Sequence, residues 1–298
     1  MWVTFQLLSV ALWGMINVLD SMLMKHYDHH PVVTMWHQSA FSMMILLPAW
    51  FILSPSVSLW VLPFVLAGML AYVGDVVFFL ALDRIDVSIT NIAWTLLSVF
   101  LAIAGFLLLQ EAWSFMQSAG SLLVFSGVLI LSLWQRKIQS ARSLLLLPLL
   151  AALYIPFYFV QDLALQNGQN VFTILFWLLL AREGSIFVVS MIVPQLRRKV
   201  FGSAARKRVS FHGINAVVIA FFFAATYLTI LAYEAGPISL VAIISNAQPF
   251  FVLFFAWMAL LFFPRFAPRE ILSRQSVSLK ILCFCIVFSG LALIAFSH

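Results

Sequence analysis

Charge is scarce in this chain. Only 9% of its 298 residues are Asp, Glu, Lys or Arg, where an average soluble domain carries roughly 25%. Because 64% are hydrophobic, a water-soluble fold of this length would lack the polar surface to cover its core. Disordered and collagen-like chains are excluded by the same composition. Cysteine is nearly absent, which rules out a disulfide scaffold. Cys283 and Cys285 stand two apart in the last apolar run, about 200° from each other on a helix, so they cannot share a metal. Strict alternation of apolar and polar residues is also missing, and this excludes a β-barrel. What the chain has is long, continuous apolar runs, the mark of an all-α polytopic membrane protein.

A spanning helix needs about 20 mostly apolar residues. That ruler predicts ten spans, at 2–24, 32–53, 60–82, 87–109, 116–134, 144–162, 171–194, 211–232, 237–262 and 279–297. Turn and charge signals separate them, among them Ser54-Pro55-Ser56 and the Gln-Asn-Gly-Gln-Asn stretch at 166–170. The N-terminus has no basic region and no A-x-A site, so 2–24 is expected to be a spanning helix and not a removable signal. The stretches 195–210 and 263–278 are expected to be the two sizeable loops, both basic.

Internal repetition decides the class of membrane protein. Val124-Phe125-Ser126-Gly127 in the fifth run recurs as Val287-Phe288-Ser289-Gly290 in the tenth, 163 residues later. At an offset of 151, Leu80-Ala81 meets Leu231-Ala232, and Ser88 meets Ser239. Asp20 and Asp162 are opposite each other in the first and sixth runs. The pattern predicts two five-helix repeats, 1–138 and 139–298. Five is odd, so the second copy enters the membrane from the other side. Inverted repeats of this kind suit alternating access around a site near the midplane.

Several residues then resemble a known family. Leu12-Trp13-Gly14 in the first helix, Ser88, Pro237 and Ser239 opening the fourth and ninth, Pro249 within the ninth, and Gln110-Glu111 closing the fourth are similar to the ten-helix, EamA-like members of the drug/metabolite transporter superfamily. The resemblance implies a secondary transporter or exchanger of amino acids, nucleotide-linked metabolites, amines or drugs, with helices four and nine lining the repeat interface. Two positions depart from it. Ser98 stands where the family has a helix-four proline, and the family's helix-two arginine is found only in the second half, as Arg182, while helix two offers His37 and Gln38.

Ionisable groups at membrane depth mark candidate sites, since each costs about 2.5–3.5 kcal/mol on the insertion scale. Asp20, Asp75, Asp162, Arg182 and Glu183 lie inside the predicted spans. Asp75 is too deep and too short to reach the headgroups, and Tyr72 shares its face at i−3. This pair is expected to bind substrate, with Asp75 and Glu183 handling a coupling proton. Asp20 and Asp162, near helix ends, are expected either to reach the headgroups or to serve the site. Arg182 is expected to hold a substrate carboxylate or phosphate, or to neutralise an in-membrane Asp. Arg182 and Glu183, about 100° apart on a helix, are expected not to pair with each other. Asn91 with Trp94, and Asn246 with Pro249, share helix faces at i, i+3. Asn91, Trp94 and Asn246 are expected to meet substrate, Trp94 as a stacking or cation–π wall, and Pro249 is expected to kink its helix as a gate.

No H-E-x-x-H, G-x-S-x-G, P-loop or Gly-rich nucleotide fingerprint occurs, so an enzyme is not expected. The one alternative is a membrane-surface metalloenzyme using His26, His29 and His30, whose spacing around Asp28 more simply fits a solvated turn. No metal and no cofactor is predicted. The expected partners are a small-molecule substrate (an amino-acid-like zwitterion, an amine or a drug-like solute) and the lipid bilayer, with no nucleic acid, and a monomeric or homodimeric assembly.

Loop charge predicts orientation. With ten spans, 15 of the 16 Lys and Arg fall in the loops after helices one, three, five, seven and nine or, for Lys280, at the edge of one, and the sixteenth is Arg182. Basic short loops stay cytoplasmic, which places both termini outside an inner (plasma) membrane.

Overall fold

In a computed structural model the described residues are 1–27, 31–84, 90, 92–108, 113–135, 145–204, 209–262, 264 and 274–296. They form helices and no strand: α1 (Trp2–His26), α2 (Pro31–Leu53), α3 (Val61–Arg84), α4 (Ile92–Leu108), α5 (Phe115–Gln135), α6 (Leu146–Gln166), α7 (Val171–Ile192), α8 (Pro194–Ala204), α9 (Val209–Ala235), α10 (Ile238–Ile244), α11 (Gln248–Phe262) and α12 (Arg274–Ala295). A 3₁₀ turn, Ser245–Ala247, joins α10 to α11. Among the described residues seven segments are long and apolar enough to cross a membrane, counting Ile238–Phe262 as one. Shorter apolar stretches lie at Leu96–Gly105, Phe115–Ile130 and Ile281–Ala295. The protein is an all-helical, polytopic membrane protein.

Local chemistry explains the boundaries. Between α6 and α7 the sequence-signalled turn places Gly168 at φ 74°, a left-handed conformation that glycine adopts without strain. Asn170 then caps α7 by accepting from the Phe172 backbone N–H at 2.8 Å. Two expectations need correction. The stretch 195–210 is not simply a loop, because Pro194 opens α8, with Leu196 and Val200 on one face and exposed Arg197, Arg198 and Lys199 on the rest. Likewise 237–262 is not one continuous helix. Pro249 has no N–H to continue the ladder, and the Gln248 N–H turns back to the Ser245 carbonyl instead.

The packing is interleaved. α1 lies along α9 and α11, while α6 lies along α3 and α4. α2 packs on α7, α4 on α10, and α5 on α12. α3 meets α7, and α9 meets α2. Exchanging the two halves of the chain maps this set of neighbours onto itself.

The repeated Val-Phe-Ser-Gly motif sits where α5 crosses α12. A Cβ on Gly290 would lie 2.9 Å from Val124 Cγ2 and 2.5 Å from the Gly120 carbonyl. A Cβ on Gly127 would lie 2.7 Å from Val287 Cγ2. Each motif's valine thus covers the other motif's glycine, and the missing side chains let the helices approach closely.

Candidate substrate-binding site

Three close approaches bring the polar groups together. Gly68 on α3 faces Ala181 and the Arg182 backbone of α7, where a Cβ would come within 2.8 Å of the Arg182 nitrogen. Gly74, beside Asp75, leaves room for the ring of Tyr154 from α6. Gly14, from the Leu-Trp-Gly motif, lets α1 press on the Phe251 backbone of α11. Without these glycines the helices would stand further apart and the buried side chains would not meet.

They enclose a cavity of about 720 Å³ of empty space. Its wall carries Asp20, Gln38, Tyr72, Asp75, Trp94, Tyr154, Tyr158, Arg182, Glu183, Phe222 and Gln248, drawn from both halves of the chain. Arg182 Nε donates to Asp75 Oδ2 at 2.6 Å and Nη1 donates to Glu183 Oε1 at 2.9 Å. The Tyr154 hydroxyl donates to the other Asp75 oxygen. Ser39 Oγ donates to Glu183 Oε2 at 2.6 Å, and Gln38 Nε2 donates to Asp20 Oδ1 at 2.6 Å. The guanidinium carbon stands 4.2 Å from the centroid of the Phe222 ring.

The pairing of Arg182 with Glu183 corrects the expectation drawn from their angular separation. Both side chains are long enough to bend towards one another, and both turn to the same cavity between α2, α3 and α9. Arg182 is thereby held between two carboxylates. Among the described residues the charged groups of the cavity wall are one guanidinium and three carboxyls, a formal excess of two negative charges when all are ionised. Buried charges of this kind are tolerated when paired and hydrogen-bonded. A surplus of carboxylate at an aromatic wall can attract a cation or carry a proton.

The structure therefore gathers Tyr72, Asp75, Trp94, Arg182 and Glu183 in one cavity wall. It adds Asp20, which is six residues inside the end of α1 and only 4% exposed, so it points inwards and not to the headgroups. Asp162 stays apart, accepting from Gln166 Nε2 at 2.7 Å. Asn246 is fully buried and does not line the cavity; its Nδ2 donates to Ser98 Oγ at 2.7 Å, tying the α10–α11 break to α4. Pro249 is buried directly after Gln248, whose side chain does reach the cavity. Asn91 falls outside the described residues. His26 ends α1, His29 and His30 are outside the described residues, and among the described residues no His, Cys, Asp and Glu group is arranged to hold a metal.

Tyr154, Tyr158 and Phe222 were not singled out by sequence. Among 30 Phe and six Tyr, nothing in their spacing separates them from packing residues. Gln38 did carry a signal, as the polar residue where the resembled family has an arginine. So did Gly74, since a glycine next to a buried Asp allows another helix to approach.

No curated protein matches the chain. A solved structure described only as the crystal structure of a protein superposes over 98% of this chain and 94% of its own, with a TM-score of 0.63 at 14% identity, which shows a shared fold. Residues 1–133, the part that supplies Asp20, Asp75 and Trp94, match the model of the EamA-like transporter family.

Proposed function

We propose that the protein is a secondary transporter of small organic cations, amines above all, working by alternating access with proton exchange. The observation that carries this reading is the occupation of Arg182 by Asp75 and Glu183, which among the described residues leaves the cavity wall with surplus carboxylate and no unpaired cation for a substrate anion. An ammonium group would compete with Arg182 for Asp75 and Glu183 while resting against Trp94 and Tyr72. Such cation–π contacts contribute about 0.5–2 kcal/mol. Among the candidate solutes a zwitterion is second to an amine, because its carboxylate would have to displace a carboxylate already bound to Arg182.

Alternating access is supported by the exchange symmetry of the helix contacts and by the reciprocal Val-Gly packing of α5 on α12. Both fit ten spans in two inverted repeats, 1–138 and 139–298. The break before Pro249 offers a flexible joint in the wall, with Asp75 and Glu183 as proton carriers. Loop charge supports an inner-membrane location with both termini outside. A thermal-shift screen of amines and carboxylates on detergent-purified protein tests the reading, since ligands stabilise by mass action. Amines should raise the melting temperature; stabilisation by carboxylates alone would refute the proposal.

A further inference from the structure

A second, smaller cavity lies further along α1. Among the described residues its lining contains no charged group, and it shares Trp13, Trp94, Tyr158 and Gln248 with the first. These four side chains form a waist between the two spaces. Gln6, Val10, Trp13, Asn17 and Asp20 follow one another at spacings of four, three, four and three, so one stripe of α1 runs past both cavities. Gln6 and Asp20 are 14 residues, or about 21 Å, apart along it.

Gln6 is 2% exposed. Its Nε2 donates to Ser245 Oγ at 2.7 Å, and Ser245 Oγ donates to the Val241 carbonyl at 3.3 Å. With the serine proton turned to the Val241 carbonyl, the Gln6 amide presents its nitrogen to Ser245. Gln6 Oε1 is left without a hydrogen-bond partner. A buried acceptor with no donor is costly, and a ligand N–H would relieve it.

We propose that this second cavity is a second binding position for the transported ammonium group, received by Gln6 Oε1 against the faces of Trp13, Trp94, Tyr158 and Tyr233. The inference rests on the cation reading given above. A cation that leaves the carboxylates and passes these shared side chains enters a space where only neutral groups can replace its hydration. The acceptor and the aromatic faces supply that replacement without a charge, so the cation is held weakly enough to move on.

Equilibrium dialysis with radiolabelled phenethylammonium on detergent-purified protein tests it. We expect two bound probes per chain in the wild type. Gln6→Leu should weaken one of them about tenfold or more, the effect of losing a hydrogen bond to a charged group. Gln6→Glu keeps an acceptor and adds charge, and should tighten the same one. The opposite signs separate a binding role from a general loss of folding. One bound probe, lost in Asp75→Asn and unmoved by both Gln6 variants, would overturn the second position and leave the proposed function standing. No bound probe in the wild type would overturn both.

Discussion

Arg182 on α7 reaches Asp75 on α3 with its Nε 2.6 Å from Oδ2, joining residues 107 positions apart and from opposite halves of the chain. The contact closes only because Gly68 lets the two helices approach. It also makes Asp75 the point at which the guanidinium, the Tyr154 hydroxyl and any incoming cation compete.

Asp75→Asn should fold and lose pH-dependent transport. The amide can still accept from Tyr154, but it carries no proton and attracts no cation. Substrate-driven pH change inside proteoliposomes is the measurement. Coupling equal to wild type would remove Asp75 from the proton path.

Arg182→Met should be worse for stability than Asp75→Asn. It leaves Asp75 and Glu183 buried without their shared cation, and breaking a buried pair from one side costs about 3–5 kcal/mol. Adding Asp75→Asn to Arg182→Met should restore part of that loss. Thermal denaturation of the two single variants and the double variant checks the cycle.

Trp94→Ala should weaken substrate binding by about 1 kcal/mol, the loss of one aromatic face. Titration calorimetry decides it. An unchanged affinity would show that Trp94 only packs against Tyr154, whose ring centroid is 5.0 Å away.

Gly127→Val and Gly290→Val should each destabilise the protein by about 1–3 kcal/mol, through overpacking at the α5–α12 crossing. Val124 and Val287 are both fully buried, so neither can swing aside into lipid. Unfolding in mixed detergent micelles measures the effect. A neutral result at either position would show that the crossing is looser than the reciprocal contacts imply.

Much of this was legible in the sequence, and the parts that were not have physical reasons. Apolar run length located the helices because a bilayer demands about 20 residues in every span. The repeated Val-Phe-Ser-Gly was visible, but not that each copy would pack on the other, since the register of two crossing helices is a tertiary property. Asp75, Arg182 and Glu183 announced themselves because charge at membrane depth needs a reason. The Arg182–Glu183 pairing did not, because angular position on a helix says little about where long side chains end, whereas neutralisation of an in-membrane Asp was one of the two roles open to Arg182. Asn246 looked like Trp94 on helical spacing, yet the 3₁₀ turn rotates it towards Ser98 and away from the cavity. The amphipathic α8 was hidden by its run of Arg197, Arg198 and Lys199, which reads as a loop until Leu196 and Val200 are seen to share a face.

Orientation is open to an independent check. If the chain crosses the membrane ten times as the sequence predicts, the basic residues gather on one face, and a C-terminal alkaline phosphatase fusion after His298 should be active and a green fluorescent protein fusion dark. The reverse pattern would place both termini in the cytoplasm.

The central claim is that the carboxylate-rich cavity moves cations. Its most direct test is uptake into proteoliposomes, under an imposed pH gradient, of a mixed pool of radiolabelled permanently charged ammonium compounds and organic carboxylates. The wild type should accumulate ammonium compounds, and uptake should fall to the protein-free level in Asp75→Asn. Accumulation of the carboxylates instead, or ammonium uptake that Asp75→Asn leaves unchanged, would contradict it.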